Sequence, residues 1–114
     1  MTLIFKIAGA DEWRRAEAAG VFEGAAVDRA DGYIHFSTAL QAAETAAKWF
    51  AGRDDLVLAA VDPDALGPAL RWEPARAGAL FPHLYGRLPL SAVRWARALP
   101  LGADGRHAFG SLDA

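Results

Sequence analysis

The chain has 114 residues, 54% hydrophobic and 23% charged, which leaves room for one globular domain and is too apolar for a disordered segment. It has no cysteine, so a disulfide framework, a cysteine-ligated zinc, an iron–sulfur cluster and a thiol nucleophile are excluded. The formal net charge of −2 exerts no general pull toward nucleic acid or a membrane surface.

The charge is unevenly distributed: residues 1–66 carry 11 acidic and 6 basic side chains, and residues 67–114 carry 3 and 6, all six of them arginine. Arginines of that kind suit bidentate capture of a phosphate or carboxylate, although solvated strand-face residues give the same count. The first residues lack a basic leader with a long apolar stretch, and the longest apolar run, residues 56–61, is far short of a membrane span. A cytoplasmic location away from the membrane is therefore expected, with nucleic acid not expected as a partner. The composition is silent on oligomeric state.

In chain order, residues 3–8 read as a buried strand carrying one basic side chain, Lys6. A turn at 9–11 leads to a helix over 12–19 with Trp13 and Ala16 inward, stopped by Gly20. Residues 21–32 show no period and read as a loop with a short strand. Residues 33–37 form a strand, and Thr38 with Gln41 three positions later has the spacing of a capping box. The helix it starts has Ala42, Thr45, Ala46, Trp49 and Phe50 as its apolar stripe and ends at Gly52. Residues 56–61 form a fully buried strand, 62–68 a turn or one helical turn, and 70–73 a short strand stopped by Pro74. A loop over 75–80 leads to the segment 81–86, a turn follows at Pro89 and Ser91, and 93–99 alternate as a last strand. The expected organisation is one domain over 1–100 with a flexible, glycine-rich tail over 101–114. Strands gathered at the end of a β-α-β-α-β start predict the α+β class.

Three segments carry polar side chains in an order that suits chemistry. In Asp31-Gly32-Tyr33-Ile34-His35-Phe36-Ser37-Thr38, a strand puts Tyr33, His35 and Ser37 on one face and hydrocarbon on the other. It then runs into a helix N-terminus at Thr38, where free N–H groups favour an anion. In the alternative, His35 bonds a neighbouring loop and Ser37 and Thr38 only cap the helix. In Arg71-Trp72-Glu73-Pro74, Glu73 suits a general base or a stabiliser of developing positive charge, although the segment taken alone reads better as a surface pair of Arg71 and Glu73 worth little. In Phe81-Pro82-His83-Leu84-Tyr85-Gly86-Arg87, an extended backbone sets His83, Tyr85 and Arg87 on one side, as in a ligand-lining loop; the alternative packs Tyr85 with its hydroxyl at the surface. His35, His83 and Glu73 show no ligand spacing, so no metal is expected, and no phosphate-binding loop or nucleophile elbow is present.

Together with Ile4-Phe5-Lys6-Ile7 and Trp72-Glu73, these motifs resemble the bacterial domain-of-unknown-function family 952 over residues 3–99. That family is grouped by fold and motif with the ADP-ribosyltransferase-like superfamily. The resemblance implies two small, split, mixed β-sheets with two main helices and a cleft that binds NAD. It implies NAD or an ADP-ribose-like nucleotide as substrate, with no required cofactor. By the same resemblance, His35, Ser37 and Thr38 form the ribose and phosphate end, with Lys6 the competitor of His35 for the first motif position. Tyr85 is the stacking group, His83 an orienting group, and Glu73 the acid, so that Glu73 and His35 are the expected catalytic residues. The chain departs from the superfamily pattern in two places. Lys6 stands where relatives commonly carry histidine, and Arg71 stands where the first member of a Gln-x-Glu or Glu-x-Glu pair would be, which weakens protein mono-ADP-ribosylation as the activity. Three functions remain open at this stage: ribosyl transfer or hydrolysis, a non-catalytic module binding a nucleotide or phosphorylated metabolite, and a structural or interaction domain with no ligand.

Overall fold

A computed structural model describes residues 2–112. The elements are β1 (Ile4–Gly9), α1 (Ala10–Ala19), β2 (Val21–Phe22), α2 (Ala26–Asp31), β3 (Ile34–His35), α3 (Ala39–Trp49), β4 (Leu56–Val61), β5 (Leu70–Pro74), β6 (Leu80–Leu84), β7 (Leu88–Pro89) and β8 (Val93–Leu99). Short 3-10 turns fill Pro63–Ala69, Arg76–Gly78 and Leu90–Ala92. No helix among the described residues is long and apolar enough to cross a membrane.

The class is α+β, as expected, but the described residues form three small antiparallel sheets and three α-helices rather than two mixed sheets with two main helices, because the short segments β2 and β7 pair apart from the larger sheets and α2 forms between β2 and β3. Among the described residues the sheets are ordered β1-β4-β8, β2-β7 and β3-β6-β5, and each of their strand pairings is antiparallel. The chain just after β3 joins the two larger sheets. Phe5 and Ser37 exchange both backbone hydrogen bonds, at 2.8 and 2.9 Å, while the Phe36 N–H donates to the Pro82 carbonyl.

The β1-β4-β8 sheet is covered on both sides, which is why β4 is apolar at every position rather than alternating. Val57, Ala59 and Val61 face one cluster with Ile4, Ala8, Trp13, Phe22, Ile34, Phe36, Leu84 and Leu88. Leu56, Leu58 and Ala60 face another with Phe5, Ile7, Ala46, Leu99 and Phe50. The two-residue side-chain period thus serves two cores at once.

Several elements depart from expectation. The stretch 21–32 holds β2 and α2 rather than a loop with one strand. α2 has six residues, too few to show a helical period, and it is marked only by Gly32 in the left-handed conformation at its end (φ 87) and by Asp28, which accepts the Ala25 N–H at 2.8 Å. In α3, Gln41 accepts the Thr38 N–H as the capping spacing predicts, at 3.0 Å, and Ala42 and Ala46 are buried. Trp49, expected in the apolar stripe, is 67% exposed because Phe50, just beyond the helix, takes the place against the core. The segment 81–86, read as a loop, is largely strand β6. Within the expected tail, Leu101 bridges His107, the His107 ring bonds the Arg53 carbonyl at 2.8 Å, and Phe109 and Leu112 pack on the second core. Residues 113 and 114 of that tail lie outside the described residues.

Candidate ligand-binding site

The β3-β6-β5 sheet has one hydrocarbon face and one polar face. Register puts His35 opposite His83, and His83 opposite Arg71, so these three form a row across the strands. Alternation adds Tyr33, Tyr85 and Glu73 to the same face, while Ile34, Leu84 and Leu70 turn to the core.

The rings make a compact tray. Tyr33 stacks on His83 with centroids 4.2 Å apart and lies 4.6 Å from His35 and 5.2 Å from Tyr85. The Arg71 guanidinium sits 4.9 Å from the centre of the Tyr85 ring. At the β5 side, one oxygen of Glu73 accepts two hydrogen bonds, from His83 Nδ1 and from the Tyr85 hydroxyl, both at 2.8 Å. The His83 bond, then the Tyr85 bond, hold the Glu73 carboxyl below the usual carboxylate range. The same bond raises the Tyr85 phenol, and burial with the nearby Asp31 and Glu73 charges raises that of Tyr33.

At the β3 side lies a buried ion pair. Lys6 Nζ is 2.8 Å from Asp28 Oδ2 and 3.0 Å from Oδ1, with Lys6 4% and Asp28 1% exposed. Burial lowers the Lys6 ammonium from its ordinary value, and Asp28 restores part of that loss. For Asp28, burial acts upward but is outweighed by the His35 bond and Lys6, so its carboxyl lies well below the ordinary range. Asp28 Oδ1 is 2.6 Å from His35 Nδ1 and also accepts the His35 N–H, while Lys6 donates to the His35 carbonyl. On the outer side, His35 Nε2 is 2.9 Å from the exposed Asp31 carboxylate.

Of the residues singled out from sequence, His35, Glu73, His83 and Tyr85 come together on this face. Lys6, Ser37 and Thr38 do not. Lys6 is spent inside on Asp28. Ser37 is 3% exposed and its hydroxyl bonds Thr45 Oγ1 of α3 at 2.9 Å, pinning strand to helix. The N–H of Thr38 is taken by Gln41, whose amide nitrogen also donates to the Leu80 carbonyl. Arg87, grouped with Tyr85 in the sequence, points to Glu23 at 3.9 Å instead.

Sequence reasoning missed Asp28 and Asp31 and left Tyr33 out of the site. Asp28 sits in an aperiodic stretch, and its partner Lys6 is 22 positions away, so no local signal marks the pair. Tyr33 was legible from strand alternation alone. Among the described residues, no group of three or more His, Asp or Glu side chains is placed to hold a metal. A separate open cavity of about 280 Å³ lies between α1 and the β2–α2 connection, lined by Glu12, Arg15, Glu23 and Arg29 among others; none of the candidate site residues named from sequence lines it.

A family model described as "Protein of unknown function (DUF952)" matches residues 7–96. Protein CC0527 from Caulobacter crescentus is similar throughout: its crystal structure is 54% identical with a TM-score of 0.91, and 96% of each chain is covered. Its solution NMR structure is 55% identical with a TM-score of 0.86, covering 96% of this chain and 95% of that one. No curated protein matches the chain.

Proposed function

The chain belongs to the DUF952 family of proteins of unknown function, and we propose that it is a nucleotide-binding enzyme of the ADP-ribosyltransferase-like type. Its substrate on this reading is NAD or an ADP-ribose-like nucleotide, bound on the polar face of the β3-β6-β5 sheet. The observation that carries the reading is the Glu73 carboxylate, oriented by two donors and held ionised beside an aromatic tray.

An ionised, fixed carboxylate is suited to stabilising positive charge at a ribose C1′ as its bond to nicotinamide breaks. The bonding electrons leave with the nicotinamide nitrogen. An acceptor oxygen then bonds to C1′ and gives up its proton. Tyr33 and Tyr85 offer ring faces to a nicotinamide or adenine, and Arg71 and His35 flank them as partners for phosphate oxygens. NAD is substrate on this reading, and the protein needs no resident cofactor. Lys6, Ser37 and Thr38 support the fold around the site rather than touching ligand.

A second reading, a non-catalytic module using the same face, is favoured by the Glu73 oxygen that is already occupied twice. An NMR titration of the labelled protein with NAD and with ADP-ribose separates the two. Shifts gathered at His35, Glu73, His83 and Tyr85, with free nicotinamide accumulating over time and abolished by Glu73→Ala, are the expected result. Shifts without product select the binding module. No shifts on this face at millimolar ligand sink both.

A further inference from the structure

We propose that the buried Lys6–Asp28 ion pair is a positioning device for His35, setting its ring with a proton on Nδ1 and with Nε2 turned to the open face. A pair this deeply buried is weakly explained by stability, because the cost of desolvating two charges consumes most of their attraction, and apolar residues of the same volume commonly do as well. What distinguishes this pair is where its hydrogen bonds go. Three of them converge on one residue: Asp28 Oδ1 takes both the His35 N–H at 3.1 Å and the ring Nδ1 at 2.6 Å, and Lys6 Nζ donates to the His35 carbonyl at 3.1 Å.

His35 is therefore held from both sides of its backbone and by its ring. Asp28 is itself anchored by the Ala25 N–H at the start of α2 and by Lys6 from β1. An ionised carboxylate can only accept, so the nitrogen 2.6 Å away carries a proton. The other nitrogen, Nε2, faces outward and lies 2.9 Å from the exposed Asp31 carboxylate, to which it too donates when it carries the ring's second proton. This is the arrangement by which a buried carboxylate fixes the tautomer and heading of a working imidazole. Lys6 and Asp28 are positioning residues in this scheme; neither reaches the open face.

The inference rests on His35 being a ligand-facing residue, but its test uses no nucleotide, so the two readings fail separately. Long-range 1H–15N correlation of the imidazoles in the ligand-free, 15N-labelled full chain at pH 8 reports which ring nitrogen is protonated, with His35→Gln identifying the His35 signals. The expected result is a protonated Nδ1 at His35, against the Nε2–H tautomer that free histidine prefers. In Lys6→Met/Asp28→Leu, which leaves no orphaned charge and no acceptor opposite Nδ1, the preference for Nδ1–H is lost. An unprotonated Nδ1 in the native chain overturns the proposal, as does an Nδ1–H signal that persists unchanged in the double variant. If the double variant does not fold, the native spectrum decides alone.

Discussion

Removing Asp28 alone strands Lys6 as an unpaired ammonium in the core, and the consequence can be worked out in size and in pH dependence. Breaking a buried pair by deleting one partner costs about 3–5 kcal/mol. Lys6 limits that cost by shedding its proton on folding. Its ordinary pKa is 10.5, and each unit between that value and the working pH is worth about 1.4 kcal/mol. The ceiling is therefore about 5 kcal/mol at pH 7 and about 2 kcal/mol at pH 9. Loss of the acceptor for the Ala25 N–H adds about 1 kcal/mol at either pH.

In Asp28→Ala the unfolded chain keeps the Lys6 proton while the folded chain has lost it. The unfolded state binds more protons, so stability rises with pH. For a native Lys6 that keeps its proton over this range, the penalty of the variant shrinks by about 3 kcal/mol from pH 7 to pH 9. Urea unfolding reads this directly. For a urea slope of roughly 1.5 kcal/mol/M, the midpoint drops by as much as roughly 4 M at pH 7 and roughly 2 M at pH 9. Lys6→Met/Asp28→Ala is the control, with a smaller penalty that does not vary over this range. A penalty under about 1 kcal/mol at pH 7, or one equal at both pH values, would refute the buried-pair argument.

Asp28 also sets the acid limb. Its carboxyl lies below the ordinary 3.8 in the fold, so its contribution is complete above that value and drains away as pH falls through and below it; Lys6→Met/Asp28→Asn is expected to flatten thermal melts recorded between pH 5 and pH 2. Leu88, fully buried in the first core, should cost about 2–5 kcal/mol on truncation to alanine, whereas Trp49→Ala should stay within about 0.5 kcal/mol, both read by urea unfolding. Gln41→Ala removes the acceptor for the Thr38 N–H and a donor to the Leu80 carbonyl; a loss of about 1–2 kcal/mol is expected, with faster hydrogen exchange at the Thr38 amide.

Much of the candidate site was readable along the chain. Tyr33 and His35, then Arg71 and Glu73, then His83 and Tyr85 each alternate with hydrocarbon, and alternation alone places each pair on one face of its strand. Which strands would lie side by side was not readable. Glu73 and His83 meet because β5 and β6 pair with Arg71 opposite His83, and sliding that register by one residue would turn His83 to the other face. Lys6 shows the limit most plainly. A basic residue in a buried strand reads equally as a ligand contact and as half of an ion pair, and only the position of Asp28 distinguishes them.

The sequence by itself determined the elements whose hydrophobic period is long enough to register: β1, α1, α3, β4 and β8, the capping of α3 by Gln41, and the α+β class they compose. It also marked the polar faces of the three segments that build the site. Tertiary structure decided which of those polar groups meet, that α2 forms at all, and that the buried Lys6 and Ser37 side chains bond Asp28 and Thr45 in the interior. The physical reason is range. Periodicity and capping act over a few residues of one segment, whereas the bonds from Lys6 to Asp28, from Glu73 to His83 and from Gln41 to Leu80 join groups 22, 10 and 39 positions apart, and they form only once packing has brought the strands and helices together.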